Sequence, residues 1–143
     1  MSVEQILAGK GREVVTIAPE RSLAEAAACL NQRRIGAVVV VDGSGEVQGI
    51  ISERDVVRAI AETGAEALES PVSSRMTKKV VTCVPTCSID EIMGLMTDGK
   101  FRHVPVLDGG RLAGIVSIGD VVKQRLGDVE AEHRALRDYI ATA

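Results

Sequence analysis

The chain has 143 residues, which suits one compact domain or two small half-domains with a real core. Its formal net charge of −3 argues against a broad electrostatic footprint for nucleic acid or anionic membrane. It has no Trp, one Tyr and one Phe, so the core must be built from Val, Ile, Leu, Ala and Met. No apolar stretch approaches the roughly 18–20 residues that span a bilayer. Met1–Arg12 lacks the basic and apolar runs of a signal peptide. Three cysteines, an odd number, fit a reducing compartment better than a disulfide framework, and a cytoplasmic location is expected.

Along the chain, Val14-Val15-Thr16 reads as a short strand that Pro19 stops. Ser22-x-x-Glu25 is a capping box, and Leu23, Ala26, Ala27 and Leu30 follow at helical spacing. Ala37–Val41 is an apolar strand without polar alternation, so both its faces are expected to be covered. Asp42-Gly43-Ser44-Gly45 is a hairpin turn into a strand at Val47–Ile51, and a helix opens at Ser52. The same order then returns. Val80-Val81-Thr82 precedes Pro85, Ser88-x-x-Glu91 opens a helix, and Val104–Leu107 leads through Asp108-Gly109-Gly110 to Leu112–Val116 and a helix at Ser117. The offset is 66 residues up to the Asp-Gly turn and 65 after it. A copy of this size has a marginal core alone, so two copies packed by pseudo-two-fold symmetry are expected. The expected organisation is repeat 1 at 7–69, repeat 2 at 76–127 and a polar helical tail at 128–143.

The segments Gly49-Ile-Ile-Ser52-x-x-Asp55 and Gly114-Ile-Val-Ser117-x-x-Asp120 carry the chemistry. One reading is structural: Ser-x-x-Asp before an apolar run is a helix-capping signal. The other uses the same geometry. A helix N-terminus presents free N–H groups that suit phosphate. A carboxylate has acceptors enough for both hydroxyls of a ribose diol, so the pair points to a nucleoside.

Taken together, these motifs resemble the cystathionine-β-synthase (CBS) domain family in its tandem, stand-alone bacterial form. The resemblance runs from about Leu7 to Leu126. It implies an α/β fold of two β-α-β-β-α repeats and a homodimer. It also implies a non-catalytic regulatory module binding adenine nucleotides between the repeats: AMP foremost, with ATP, ADP, NAD(H) and S-adenosylmethionine also used in the family. Carried onto this chain, Asp55 and Asp120 would bind the ribose diol, with Ser52 and Ser117 beside ribose and phosphate. Backbone near Thr16-Ile17 and Thr82-Cys83 would contact adenine. Walls would come from Ile35–Val38, including Gly36 and Ala37, and from Phe101–Pro105. Arg54, Arg102 and His103 are the phosphate candidates, although His103 also reads as a simple edge-strand residue. Copy one has Gly36-Ala37 where copy two has Arg102-His103, and copy two has Gly119 where copy one has Arg54, so unequal clefts with a basic residue in each are expected.

Two other classes remain open on the residues alone. A scaffold or partner-binding module would leave the clefts empty. An enzyme would need a trio such as Cys87, His103 and an acid, which any chain of this size supplies by chance. No metal is expected, because Cys83-x-x-x-Cys87 has no Cys/His partner pair for a zinc site.

Overall fold

A computed structural model of the chain describes residues 1–142. Repeat 1 contains β1 (Thr16–Ile17), α2 (Leu23–Arg33), β2 (Ala37–Val41), β3 (Val47–Ser52) and α3 (Glu53–Thr63), preceded by α1 (Val3–Lys10). Repeat 2 contains α4 (Ile89–Gly99), β4 (His103–Asp108), β5 (Arg111–Ser117) and α5 (Ile118–Thr142). Two short 3₁₀ turns, Gly64–Glu69 and Val72–Ser74, lie between them. The capping signals act as the spacing predicts. The Ser22 and Ser88 hydroxyls accept the backbone N–H groups of Glu25 and Glu91, both at 3.1 Å. Both Asp-Gly turns close antiparallel hairpins, and Gly45, Gly109 and Gly110 take the positive φ that such turns demand.

Repeat 1 has a three-stranded sheet in the order β1-β2-β3, with β1 parallel to β2. Repeat 2 departs from the sequence expectation: its sheet has only β4 and β5, and Val80–Thr82 is not a strand. A single parallel bridge, Cys83 to Val106, is all that remains of the opening strand. Its two hydrogen bonds run from Cys83 N–H to the Pro105 carbonyl and from Leu107 N–H to the Cys83 carbonyl. The next rung toward the N-terminus would need an N–H at Pro105, and proline has none. In repeat 1 the equivalent residue is Val39, and the ladder there continues to Thr16.

Each repeat has its own apolar core, and the segments that lead into the repeats are exchanged. Val3, Ile6 and Leu7 of α1 pack with Ile89, Ile92, Val104, Val106 and Val116 of repeat 2. Ala67 and Val72, from the connection into repeat 2, pack with Leu23, Leu30, Val38, Val40 and Ile51 of repeat 1. The backbone bonds have the same symmetry: Val3 N–H donates to the Cys87 carbonyl, and Val72 N–H donates to the Arg21 carbonyl. The exchange ties the two marginal half-cores together, since neither is closed without chain from beyond its own hairpin. The described part of the tail is helical, and it continues the last helix of repeat 2: α5 runs unbroken through Gly127 for 25 residues.

Candidate functional site

The strand-to-helix junctions at Ser52 and Ser117 have nearly the same geometry. Asp55 Oδ2 accepts the Ser52 N–H at 2.9 Å and the Ser52 hydroxyl at 3.0 Å. Asp120 Oδ2 accepts the Ser117 N–H at 2.9 Å, and the Ser117 hydroxyl accepts the Asp120 N–H at 3.1 Å. The capping role and a binding role are therefore compatible at Asp55. One oxygen holds the helix start, while Oδ1 has only the Arg58 guanidinium nearby, at 3.8 Å. Asp55 is also the one buried charged residue among those described. An open carboxylate oxygen beside an oxygen already held in place is free to accept hydrogen bonds from a ligand.

Asp55 faces a cavity of about 360 Å³ at the junction of the two repeats. Repeat 1 contributes Gly36, Ser52, Arg54, Asp55 and Arg58 to its wall, and repeat 2 contributes Lys100, Phe101, Arg102 and His103. Ile50 and Glu53 of repeat 1, with Thr77 and Lys79–Val81, complete it. Arg54, Arg58, Lys79, Lys100 and Arg102 outnumber the carboxylates of Glu53 and Asp55, so the wall is net cationic. Burial, helped by the charges of Lys10 and Arg102, pushes His103 below the usual imidazole value against the pull of Asp120 and Glu53. His103 is then a neutral hydrogen-bonding group at neutral pH rather than another cation. A Cβ at Gly36 would sit 3.1 Å from Glu53 Oε1 and 3.4 Å from His103 Nε2, so the small residue keeps this corner uncrowded. Gly99 likewise leaves room for Phe101, whose ring would overlap any Cβ at that position.

Of the residues singled out in the sequence, the structure brings Gly36, Ser52, Arg54, Asp55, Arg102 and His103 together on this one cavity. Arg102 and His103 line the Asp55 cavity, and His103 also lies within reach of the Lys10 and Asp120 charges. Thr16, Ile17, Thr82, Cys83, Ala37 and Pro105 are outside its lining, and Cys83, Ala37 and Pro105 are buried. Ser117 and Asp120 are outside its lining; there the Lys10 ammonium donates to Asp120 Oδ2 at 2.6 Å and to the Ile115 carbonyl at 2.9 Å. Burial would raise the Asp120 carboxyl, but the hydrogen bonds from Lys10 and Ser117 outweigh it and hold the group below the usual carboxylate range.

Sequence reasoning missed Arg58, Lys79 and Lys100 as cavity residues. The i+3 spacing of Arg58 from Asp55 was an available signal. Lys78-Lys79 and Lys100-x-Arg102 are two short basic pairs far apart in the sequence, and the fold brings three of their four members, Lys79, Lys100 and Arg102, to one wall. Cys87 lies outside the cavity that holds His103. It donates to Glu91 Oε2 at 3.2 Å, and burial together with Glu91 pushes its thiol up to about 11, the reverse of an activated nucleophile. Among the described residues no three His, Cys, Asp or Glu side chains converge on one point, and no helix is long and apolar enough to cross a membrane.

Two copies of one α/β unit that meet at a polar cavity, each presenting a capped carboxylate at a helix start, define a tandem-repeat ligand-binding module. The CBS domain family model matches residues 3–62 and 72–127, and the chain belongs to that family. A crystal structure of a CBS-domain-containing protein from Agrobacterium tumefaciens is 54% identical, with a TM-score of 0.85 over 87% of this chain and 92% of that one. A CBS domain protein from Pyrobaculum aerophilum, complexed with AMP, is 25% identical, with a TM-score of 0.76 over 84% of this chain and 89% of that one. The CBS domain pair of the protein MJ0100, in complex with 5′-methylthioadenosine and S-adenosyl-L-methionine, is 27% identical, with a TM-score of 0.80 over 90% of this chain and 98% of that one. Adenosine-containing ligands are thus bound by pairs of the same fold.

Proposed function

We propose that the chain is a non-catalytic regulatory module that binds an adenine nucleotide, AMP foremost, in the Asp55 cavity. The observation that carries this is the buried Asp55 carboxylate, with Oδ1 under-used, facing cationic side chains from both repeats. In this reading Asp55 takes the ribose diol, and Arg54, Arg102 and Lys100 receive phosphate. Phe101 and Val81 offer the base an apolar wall. The net cationic wall favours a phosphate-bearing ligand over the sulfonium of S-adenosylmethionine. A volume of about 360 Å³ is near the lower end of small-molecule sites, which favours a mononucleotide over NAD(H). ATP could be held only with its outer phosphates toward solvent.

Asp120 and Ser117 form a second, self-occupied cleft in this reading. The repeat bodies are taken as 7–69 and 76–127 with 128–143 as the tail, and the protein as a cytoplasmic homodimer. Binding that differs between two conformers would shift their populations and so signal to a target. A thermal-shift panel with AMP, ATP, NADH, S-adenosylmethionine and GMP tests the reading. A rise with AMP, absent with GMP and abolished in Asp55→Asn, is the expected result. A flat panel on protein shown to be free of carried-over nucleotide would refute it.

A further inference from the structure

Beyond residue 128 every described residue of α5 is exposed, so its last 14 described residues, 129–142, are covered on no face. Isolated helices shorter than about 12–15 residues are marginal in water, and Gly127 weakens this one further. The exposed side chains are not random. Val122, Leu126, Val129, His133, Leu136 and Ile140 recur at alternating spacings of four and three, the seam of a coiled coil. In heptad terms Leu126, His133 and Ile140 are a positions, and Val122, Val129 and Leu136 are d positions. This stripe is distinct from the face that α5 presents to its own repeat, which consists of Val121, Gln124 and Asp128. Val129, Leu136 and Ile140 are 50%, 56% and 65% exposed, values that leave the seam open.

We infer that α5 pairs with α5 of a second copy of this chain as a short, parallel, in-register coiled coil. The flanking charges select that occupant and that direction. In a parallel pair each g residue meets the next e residue of the other helix. Arg125 would meet Glu130, and Glu132 would meet Arg137, each pair being of opposite sign. In the antiparallel register of equal overlap, Glu130 and Glu132 would each face their own copies, and Lys123 would face Arg137. Among the described residues the competing contact is the ion pair of Arg125 with Asp90, at 3.4 Å and with both side chains exposed, which costs little to exchange. His133 sits in the seam as the one polar a residue, the type of position that fixes register at some expense of affinity. The inference does not depend on what the clefts bind.

The test is cysteine cross-linking in the full chain. Leu136→Cys, at a seam position, is compared under mild oxidation with Ala131→Cys, at an outer f position, and the bridged peptides are mapped by mass spectrometry. The 136–136 bond is expected at least tenfold more abundantly than the 131–131 bond. Equal yields, or no 136–136 bond at the highest soluble concentration, would overturn the pairing; the latter is the outcome if α5 docks on another protein or folds back on its own body. An independent readout is His133→Leu, expected to tighten self-association at least tenfold by sedimentation equilibrium. No change would exclude His133 from the seam and defeat the assigned register.

Discussion

The two clefts start from the same carbonyl and end differently. In repeat 1 the Ile50 carbonyl accepts the backbone N–H of Thr77 at 2.8 Å. In repeat 2 the equivalent Ile115 carbonyl accepts the side-chain ammonium of Lys10. A backbone donor satisfies the first and stops there, leaving Asp55 with only the exposed Arg58 guanidinium, 3.8 Å away. A lysine satisfies the second and reaches on to Asp120. The difference comes from the exchanged segments: an eight-residue helix with a lysine in its last turn on one side, and a three-residue 3₁₀ turn on the other. Duplication thus supplies two potential sites, and chain outside the repeated motifs decides which one is open.

The largest expected effect is on the two glycines that admit those segments. A Cβ on Gly49 would lie 2.6 Å from the Thr77 backbone oxygen and 2.8 Å from the Met76 sulfur. A Cβ on Gly114 would lie 2.5 Å from Leu7 Cδ2, the end of a flexible side chain. Overpacking costs roughly 1–3 kcal/mol, and backbone yields less than a leucine tip. Gly49→Ala is expected at the upper end of that range and Gly114→Ala at the lower end in urea denaturation. Equal losses would show that the two segments are held alike.

The carboxylates come next. Hydrogen bonds to charged groups contribute about 1.5–3 kcal/mol, or roughly ten- to a hundredfold in affinity. Asp55→Asn is expected to weaken AMP binding by that factor in calorimetric titration, while Asp120→Asn leaves it within about twofold. Comparable losses in both variants would mean that Lys10 gives way to ligand and that the clefts act as equals.

How much of this asymmetry the residues announced depends on the range of the interaction. Ser22, Ser88, the Asp-Gly turns and the Ser-x-x-Asp junctions act over three or four residues, so their roles are legible in the sequence and hold in the structure. The difference between the copies, Gly36-Ala37 against Arg102-His103, was legible too, but not which cavity the basic pair would line. Arg102 and His103 line a cavity that Asp55 of the other repeat also lines, and no local pattern encodes a neighbour from the other repeat. The same holds for Lys10, a turn residue by its neighbours Gly9 and Gly11, which α1 carries to Asp120. Pro105 is an intermediate case: its missing N–H is visible in the sequence, but its consequence emerges only once the pairing register is known.

Lys10→Met separates occupation of the second cleft from its architecture. The pair is partly exposed, so its loss should cost no more than about 1 kcal/mol. Removing the ammonium should free Asp120 and add a second, weaker equivalent of AMP in the titration. The Asp120 carboxyl titrates lower in the folded protein than its ordinary 3.8, so it stabilises the fold above that value, and this contribution is lost as pH falls through its folded value. Lys10→Met should therefore flatten the loss of stability below about pH 4. An unchanged acid limb with unchanged stoichiometry would show that Lys10 does not hold the cleft.

The smallest effect tests the other end of the molecule, where α5 differs from α3. The shorter helix stops at Gly64, which takes a positive φ, whereas the longer one runs through Gly127 in helical geometry. Nothing lies within 4 Å of a Cβ built on Gly127. Alanine there avoids the backbone entropy of glycine without a clash, and the gain in a helix interior is about 0.5–1 kcal/mol. Gly127→Ala should thus raise helicity at 222 nm and extend protection of the 129–142 amides in hydrogen exchange. Global stability should change little, because the tail lies beyond both cores and opens independently of them. A loss of tail protection would mean that Gly127 is a hinge the tail needs, and that α5 does not behave as one continuous rod.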